Sequence, residues 1–284
     1  MATSGTANKK VSSDGAPPRR RLNQPRVAEI VAGILRERIV NGQLADGDLL
    51  PKQDDLLKEF GVSLPSLREA TRILETEGLI SVRRGNVGGA VVHRPTSEAV
   101  AFTLGLVLQS HRVTLPDLAA ALRVVEPACA ALCAQQAGRR KIAARLSELT
   151  DEAETHLDDG PEFTRAAREF HDELARLCGN GTLRELVGTL EMLWSDYEAR
   201  WADDTNQRGA YPEVTLRRRV LSTHRAIADA IRAGEAESAE KASRQHLEQS
   251  QQFMLRQAGD QPLTITQLRV GFGPSRLGSG STSL

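Results

Sequence analysis

The 284-residue sequence is poor in cysteine and aromatic residues and carries no net charge. Its three cysteines lack the CxxC spacing of a zinc ribbon or a redox centre, because Cys129 and Cys133 lie one helical turn apart and Cys178 is distant. We therefore expect reduced, mostly buried thiols. Lysine and arginine number 37, as do aspartate and glutamate, so any surface that attracts nucleic acid must be local.

Long hydrophobic runs are also missing. No apolar stretch approaches the roughly 18 residues of a membrane span, and the N-terminus has no apolar core of a signal peptide. These absences predict a soluble, cytoplasmic protein with no membrane partner. The length and the 40% hydrophobic content suffice for two globular domains with cores of their own.

Both ends of the chain have the composition of disordered segments. Residues 1–23 are predicted to form a disordered basic arm, rich in Ser, Gly, Thr and Pro. Loose attraction to polyanions and a solvated tail without function are equally consistent with this arm. Residues 258–284 have too little apolar periodicity to fold alone and are predicted to be a disordered tail.

The pattern of residues 24–95 predicts a winged helix-turn-helix domain that binds DNA. Apolar residues recur at helical spacing over 26–40, and a short helix is predicted over 52–60. Ser63 offers an N-cap for a third helix that ends at Gly78. The runs LISV and GAVVH, joined by RRGNVG, then predict a β-hairpin.

Residues 96–257 predict an all-helical domain for ligand binding and dimerisation. Helical periodicity recurs in seven segments, separated by glycine and proline. These segments are 97–110, 114–137, 139–158, 161–178, 182–203, 212–233 and 235–257. The sequence thus predicts a mostly α protein, with an N-terminal winged helix-turn-helix followed by a bundle of about seven helices.

Candidate DNA contacts lie on the third helix and the hairpin. Arg68 and Arg72 are four residues apart and away from the buried stripe, and the helix N-terminus offers N–H groups that suit a phosphate. The hairpin supplies donors for an adjacent minor groove. In the alternative, the arginines form solvated pairs with nearby glutamates. The predicted DNA-binding residues are Lys52, Ser63, Leu64, Ser66, Arg68, Arg72, Arg83, Arg84, Gly85 and Asn86.

The run NGQLADGDLLPKQDDLLKEFGVSLPSLREATRILETEGLISVRRGNVGG resembles the signature of GntR-type bacterial transcription regulators, in their FadR-like (FCD) branch. The resemblance covers the whole first domain. It places Ser63, Arg68, Arg84 and Gly85 on DNA-contact positions of the family.

The chain departs from this family pattern at two further contact positions. These are often arginine in the family but are Asp54 and Leu64 here, so the family's usual operator sequence is not assigned to this chain. One recognition helix and one wing cover only a half-site. We therefore expect a homodimer on a palindromic operator in double-stranded DNA.

Three of the six histidines, His171, His224 and His246, are candidate metal ligands. Imidazoles from different helices can hold a divalent metal such as zinc while leaving positions open. The alternative is a set of hydrogen-bonded core histidines. The segments AAREFHDELARLCGN and STHRAIADAIRAGEAESAEKASRQHL are similar to the FadR-like ligand-binding domain, which often binds a metal through three histidines and an acid. That acid position is Ala167 here, so a weakened site and a pocket without metal are both consistent with the motif.

Effector contacts are less clearly marked in the sequence. FadR-like regulators often anchor an effector carboxylate with an arginine on the second helix of this domain, and the nearest candidate is Arg123. A surface pair between Arg123 and Glu126 is the alternative. An aromatic stripe is formed by Trp194, Tyr197 and Trp201. Packing in the core is the default explanation for this stripe, and a wall of a ligand site is the alternative.

The leading hypothesis is a ligand-responsive transcription repressor that binds its operator as a homodimer. A small carboxylate-containing or acyl metabolite would release it. The first alternative is a metal-dependent hydrolase that uses the three histidines, although no general base lies at helical spacing from His171 or His224. The second is a protein-interaction module built on a winged helix.

Overall fold

The computed structural model describes residues 26–83, 89–260 and 262–264. The predicted arm therefore lies outside the described residues, as do residues 265–284 of the predicted tail and the predicted DNA contacts Arg84, Gly85 and Asn86. Contacts divide the chain into two compact units, with the boundary between Arg94 and Pro95. We call them the first unit and the second unit.

The first unit contains three helices followed by a two-stranded antiparallel hairpin, as the sequence predicts. The elements are α1 (Val27–Val40), α2 (Gln53–Phe60), α3 (Leu64–Thr76), β1 (Ile80–Arg83) and β2 (Gly89–Val92). Ile80 pairs with Val92 at one end of the hairpin, and Arg83 pairs with Gly89 at the other. Leu49 adds an isolated bridge to Val91, which extends the pairing beyond the hairpin.

The helix ends of the first unit follow from local chemistry. Gly61 ends α2 in the left-handed region, at φ 62°, where a side chain would be strained. Ser63 is the N-cap of α3, as predicted, and its Oγ accepts a hydrogen bond from the Ser66 N–H. The core beneath these helices is aliphatic. Its most buried members include Leu35, Ile39, Leu67, Leu74, Ile80 and Val92.

The second unit contains the seven predicted helices within its described residues. They are α4 (Ser97–Ser110), α5 (Leu115–Gln135), α6 (Arg139–Glu154), α7 (Gly160–Leu177), α8 (Gly181–Gln207), α9 (Val214–Ala233) and α10 (Ala236–Ala258). Closely packed pairs include α5 with α10, α6 with α9, and α7 with α8. No helix in the described part of the chain is long and apolar enough to cross a membrane.

Two helix ends in the second unit differ from the predicted bounds by four residues, and the other ends differ by at most two. Helix α6 ends at Glu154 rather than near 158, because the backbone tightens into a turn in which Thr155 and His156 bond to the third residue before each. The buried Leu157 continues the apolar period through this turn, so periodicity alone overextends the helix. Helix α8 instead continues past 203 to Gln207 before Gly209 ends it.

A proline inside α5 shapes the packing of this helix against α10. Pro127 has no N–H, so the carbonyl of Arg123, four residues earlier, loses its partner within the helix. Nη1 of Arg244 on α10 donates to that carbonyl at 2.9 Å, and Nη2 of Arg244 pairs with Glu240 at 2.8 Å. The arginine therefore satisfies a backbone group that the proline exposes and ties α10 to α5 at this level.

Candidate functional site

The predicted recognition helix α3 carries its arginines on its exposed side. Arg68 and Arg72 are both exposed, while Leu67, Ala70 and Leu74 of the same helix are buried. Arg72 pairs with Glu69 at 3.2 Å, so the solvated-pair alternative describes this residue. The guanidinium of Arg68 has no partner among the described residues, so it is available to a ligand.

The other described DNA-contact candidates surround the start of α3. Ser63 and Ser66 have their hydroxyl oxygens 2.9 Å apart, because Ser63 caps the helix. Leu64 is half-buried in the first turn. Lys52, at the N-cap of α2, and Arg83, at the end of β1, are exposed.

Two other arginines of the first unit form internal ion pairs. Arg36 on α1 makes two hydrogen bonds to the Glu77 carboxylate, at 2.5 and 2.8 Å, and holds the end of α3 against α1. Arg38 pairs with Glu59 of α2. These pairs hold α1 against α2 and against the end of α3. Arg68 takes part in neither pair.

In the second unit, the three predicted histidines meet. His171 from α7, His224 from α9 and His246 from α10 offer ligand nitrogens that all lie within 4.8 Å of one another. Nε2 of His246 lies 3.2 Å from Nε2 of His171 and 3.2 Å from Nε2 of His224. The ring of His224 stacks on Phe170 at a centroid distance of 4.0 Å, which holds its plane.

The tautomer of His246 follows from its neighbour. The hydroxyl of Thr223 donates its single proton to the Val220 carbonyl at 2.7 Å, so it must accept from Nδ1 of His246, also at 2.7 Å. Burial, together with the charge of His171, lowers the pKa of His246 to about 3. The ring is therefore neutral near pH 7, and its Nε2 presents a lone pair to the centre of the cluster.

His171 is held by a buried carboxylate. Its Nδ1 lies 2.8 Å from Oε1 of Glu126 on α5, whose side chain is fully buried. Burial alone would lower the pKa of His171 and raise that of Glu126. The mutual attraction outweighs burial in both, so the pKa of His171 is raised and that of Glu126 is lowered. Nδ1–H of His171 thus donates to the carboxylate, and Nε2 faces the other two rings.

Two further carboxyls belong to this region, both on α8. Glu191 is 3% exposed and lies beside Glu126 and His171, with its Oε1 lacking a hydrogen-bond partner in the described part of the chain. Burial and the charge of Glu126 raise the pKa of Glu191 well above its ordinary value. Glu198, two turns further along, is half-buried, and burial raises its pKa to about 7.

A cavity of about 370 Å³ lies against the histidine cluster, within the second unit. This volume is in the range of small-molecule sites. Its wall comes from α7, α8, α9 and α10 and includes all three histidines with Glu191 and Glu198. Trp194 and Trp201 line it too, while Tyr197 packs in the adjacent core without lining it. Two members of the predicted aromatic stripe therefore serve both the core and the wall.

The structure locates Ala167 and Arg123, the two positions at which the family resemblance implies a metal ligand and an effector contact. Ala167, one turn before His171 on α7, lines the cavity, where the family pattern has an acid. Arg123 does not line the cavity and donates instead from Nε to Oε1 of Gln251 at 2.8 Å. The alternative of a surface pair between Arg123 and Glu126 is wrong, because Glu126 is fully buried against His171.

The sequence prediction missed Glu126, Glu191, Glu198 and Gln251 as members of the site. The sequence does contain a signal for Glu126. Glu126 is four residues from both Leu122 and Ala130, and all three are buried. An acid on an apolar helix stripe points to a buried charge with a partner. Helical periodicity gave no comparable signal for the contact of Gln251 with Arg123, because the two residues lie on different helices.

Two family models match the chain. Residues 27–91 match the model described as bacterial regulatory proteins, gntR family, and residues 117–249 match the model described as FCD domain. The first model covers the described helices and hairpin of the first unit. The second covers the histidine cluster and most of the cavity wall.

Two relatives of this chain are named as transcription regulators, and one solved structure has a similar fold. The HTH-type transcriptional repressor NanR of Cronobacter sakazakii is 28% identical, over 81% of this chain and 85% of that protein. The Uxu operon regulator of Haemophilus influenzae is 29% identical, over 77% and 78% of the two chains. Streptococcus agalactiae GntR has a similar fold, with a TM-score of 0.60 at 23% identity over 80% of this chain and 99% of that one. The named relatives are transcription regulators rather than enzymes, so the hydrolase alternative is set aside.

Proposed function

Because the chain belongs to the GntR family of bacterial regulatory proteins and carries an FCD domain after its winged helix, we propose that it is a repressor that a small acid releases from DNA. It binds a short palindromic operator as a homodimer, since one winged helix reaches only a half-site. The effector is a carboxylate-containing or acyl metabolite that enters the helical unit. The repressor acts on DNA in the cytoplasm.

The proposed DNA surface is the exposed face around α3. Its strongest support is Arg68, an exposed guanidinium with no described partner on a helix whose opposite face is buried. Arg84, Gly85 and Asn86 lie outside the described residues and belong to the proposal through the family resemblance. The described members are Lys52, Ser63, Leu64, Ser66, Arg68, Arg72 and Arg83.

The DNA surface is tested with Arg68→Ala and Arg83→Ala, on a duplex that the wild-type protein selects from a random pool. Loss of a base contact weakens binding by about 1–3 kcal/mol. Loss of a phosphate contact lowers the slope of log affinity against log salt by about 0.9. Fluorescence anisotropy at several salt concentrations measures both quantities.

Arg232→Ala is the matched control, because Arg232 is an exposed arginine of α9 that pairs with Asp229. It should leave affinity and salt slope unaltered. If both test variants also retain wild-type affinity and slope, this surface does not contact DNA. A selected duplex without two-fold symmetry would argue against the homodimer.

The effector site is proposed to include a divalent metal held by His171, His224 and His246. In a tetrahedral site with metal–nitrogen bonds of about 2.05 Å, neighbouring nitrogens are about 3.3 Å apart. The two Nε2 separations of 3.2 Å fit this value. When bound, the metal supplies a Lewis-acidic centre for a carboxylate oxygen. Glu126 and Thr223 orient two of the rings, as outer partners of metal ligands do.

The raised pKa of His171 gives the metal proposal a pH dependence. Below that pKa the ring carries a second proton, and its Nε2 has no lone pair for a metal. Metal affinity should therefore fall as the pH drops through this pKa. Glu126 keeps the Nδ1 proton in place on both sides of the transition.

The metal site is tested by equilibrium dialysis of the full-length protein against ZnCl₂. Wild-type protein should retain one zinc per chain with affinity rising from pH 6 to 8, and His224→Gln should lose most of it. His111→Gln is the matched control, because His111 is exposed at the end of α4. Equal zinc retention by the two variants would remove the metal from the proposal.

The observation that carries the effector proposal is the convergence of three imidazoles at the edge of a cavity. Release of the selected duplex by a panel of organic acids, with and without added zinc, tests it. At least one acid should lower operator affinity only when His224 is intact. No effect of any acid or acyl compound on wild-type DNA binding would contradict the effector role.

A further inference from the structure

Gln251 on α10 is a buried amide with half of its hydrogen-bonding capacity unused. Its side chain is 1% exposed. Oε1 accepts from Nε of Arg123 at 2.8 Å, whereas Nε2 has no partner in the described part of the chain. Because a guanidinium only donates, the amide oxygen must face Arg123 and the NH₂ group must face away from it. A buried donor in this state needs an acceptor.

Gln251 lines the same cavity as the three histidines. Arg123 does not line this cavity. The arginine reaches the cavity only through the amide. Its own place is fixed, because Arg244 holds its carbonyl, which Pro127 leaves without a helical partner. Arg123 therefore sets the orientation of Gln251 from behind the wall.

The spacing on α10 relates the amide to the histidine cluster. Gln251 is five residues after His246, so it lies about 7.5 Å further along the helix axis and about 140° around it, and both residues line the same cavity. A ligand whose carboxylate lies at the histidines can extend over this distance within the cavity. A chain of about six carbons spans it, since each carbon adds a little over 1 Å.

Resting on the proposed effector site, we propose that Gln251, positioned by Arg123, donates a hydrogen bond to a second oxygen of the effector. The effector is then a short organic acid with a hydroxyl, keto or carboxylate oxygen at the end remote from the carboxylate that lies at the histidines. Gln251 contacts the ligand. Arg123 is a positioning residue that keeps the amide donor turned toward it.

Four six-carbon probes separate the possible ligand ends, in calorimetric titrations of the full-length protein with added ZnCl₂. Adipate and 6-hydroxyhexanoate offer an acceptor, hexanoate offers none, and 6-aminohexanoate offers a cationic donor instead. We expect the first two to bind about tenfold more tightly than hexanoate, as one net hydrogen bond allows. The amino acid should gain nothing from Gln251.

Variants separate direct contact from positioning. Gln251→Met removes the donor at similar volume, and the ratio of adipate to hexanoate affinity should fall to about one. Arg123→Met should reduce the same ratio, and Arg123→Lys should restore part of it, because lysine still donates to Oε1. A merely structural role for Arg123 would alter all probes alike and would not be rescued. Arg232→Ala serves as the control and should keep the wild-type ratio.

Three results would overturn the inference. The first is equal affinity of the wild-type protein for hexanoate and adipate. The second is a preference for adipate over hexanoate that Gln251→Met retains. The third is tightest binding of 6-aminohexanoate, which would mean that the far end of the ligand contacts the Glu191 and Glu198 carboxyls. Each leaves the acid-responsive repressor standing. Failure of the wild-type protein to bind any of the four probes would refute the acid site itself, and this inference with it.

Discussion

Glu198→Gln should stabilise the helical unit at neutral and alkaline pH. Glu198 is half-buried at the cavity wall and has no ion pair among the described residues. Burial raises its pKa from the ordinary 4.5 to about 7, although His171 and Arg168 oppose the rise. The folded protein therefore keeps a proton that the unfolded chain has already lost, and ionising the group in place costs stability.

The sign and size follow from proton linkage. Between pH 4.5 and 7 the folded state binds more protons than the unfolded state, so stability falls as the pH rises through this window. At about 1.4 kcal/mol per pH unit, the full cost above pH 7 is about 3 kcal/mol. Because Glu198 is half-buried, solvent screens part of its charge, so we expect a gain of about 1–3 kcal/mol from the neutral amide at pH 8. Below pH 4.5 the gain should vanish.

Tryptophan fluorescence reports this change specifically. The chain has two tryptophans, Trp194 and Trp201, and both lie on α8 within one turn of Glu198. Urea unfolding followed by their emission therefore monitors the helical unit and is blind to the first unit. Midpoints at pH 4.5, 6, 7 and 8, without added metal or acid, give the pH profile for wild type and variant.

Asp203→Asn is the matched control, the same chemical change at an exposed carboxyl of the same helix. It should shift no midpoint by more than a few tenths of a kcal/mol. A Glu198→Gln profile parallel to wild type from pH 4.5 to 8 would refute the reasoning. So would destabilisation at pH 8, because it would mean that the ionised carboxylate is satisfied where it lies.

Three further outcomes are expected. Ala167→Asp should raise zinc affinity about tenfold or more in dialysis, because it places an acid one turn before His171 on the cavity wall; no gain would mean that this position does not face the metal. Gly160→Ala should cost about 1–3 kcal/mol in urea unfolding, because a Cβ there would lie 2.7 Å from the Tyr211 ring; wild-type stability would show that the ring moves freely. The three buried thiols should react with a thiol reagent only as the protein unfolds, since burial raises the pKa of Cys129 and Cys133, and fast labelling of native protein would contradict this.

Most of the fold could be predicted because its signals are local. A serine before an apolar-periodic run caps α3, and Gly61 ends α2 in a conformation that only glycine adopts easily. The end of α6 could not be predicted, because Leu157 is buried in a turn and keeps the helical period after the helix has ended. The spacing of apolar residues indicates which residues are buried, and a residue can be buried in a turn as well as in a helix.

The site could be predicted only in part for a related reason. The chain has only six histidines, so three of them in different helices of one domain are easy to notice. His171, His224 and His246 could therefore be proposed as one metal site before their contacts were known. The role of Arg123 could not, because the nearest acid on its own helix, Glu126, suggests a local pair. The structure turns Glu126 toward His171 and Arg123 toward Gln251, across two different helix interfaces.

Under the proposed function, the alanine at 167 also affects how metal and effector depend on each other. A divalent metal on three neutral imidazoles has two positive charges, and the buried Glu126 carboxylate compensates one of them through His171. An acid at 167 would neutralise the remaining charge without an effector. With Ala167, the second positive charge of the metal would remain until an anionic carboxylate binds. An uncompensated charge in a largely buried site is costly. Ala167→Asp should therefore strengthen metal binding and weaken acid binding together, whereas an aspartate that merely added a ligand would leave acid binding intact.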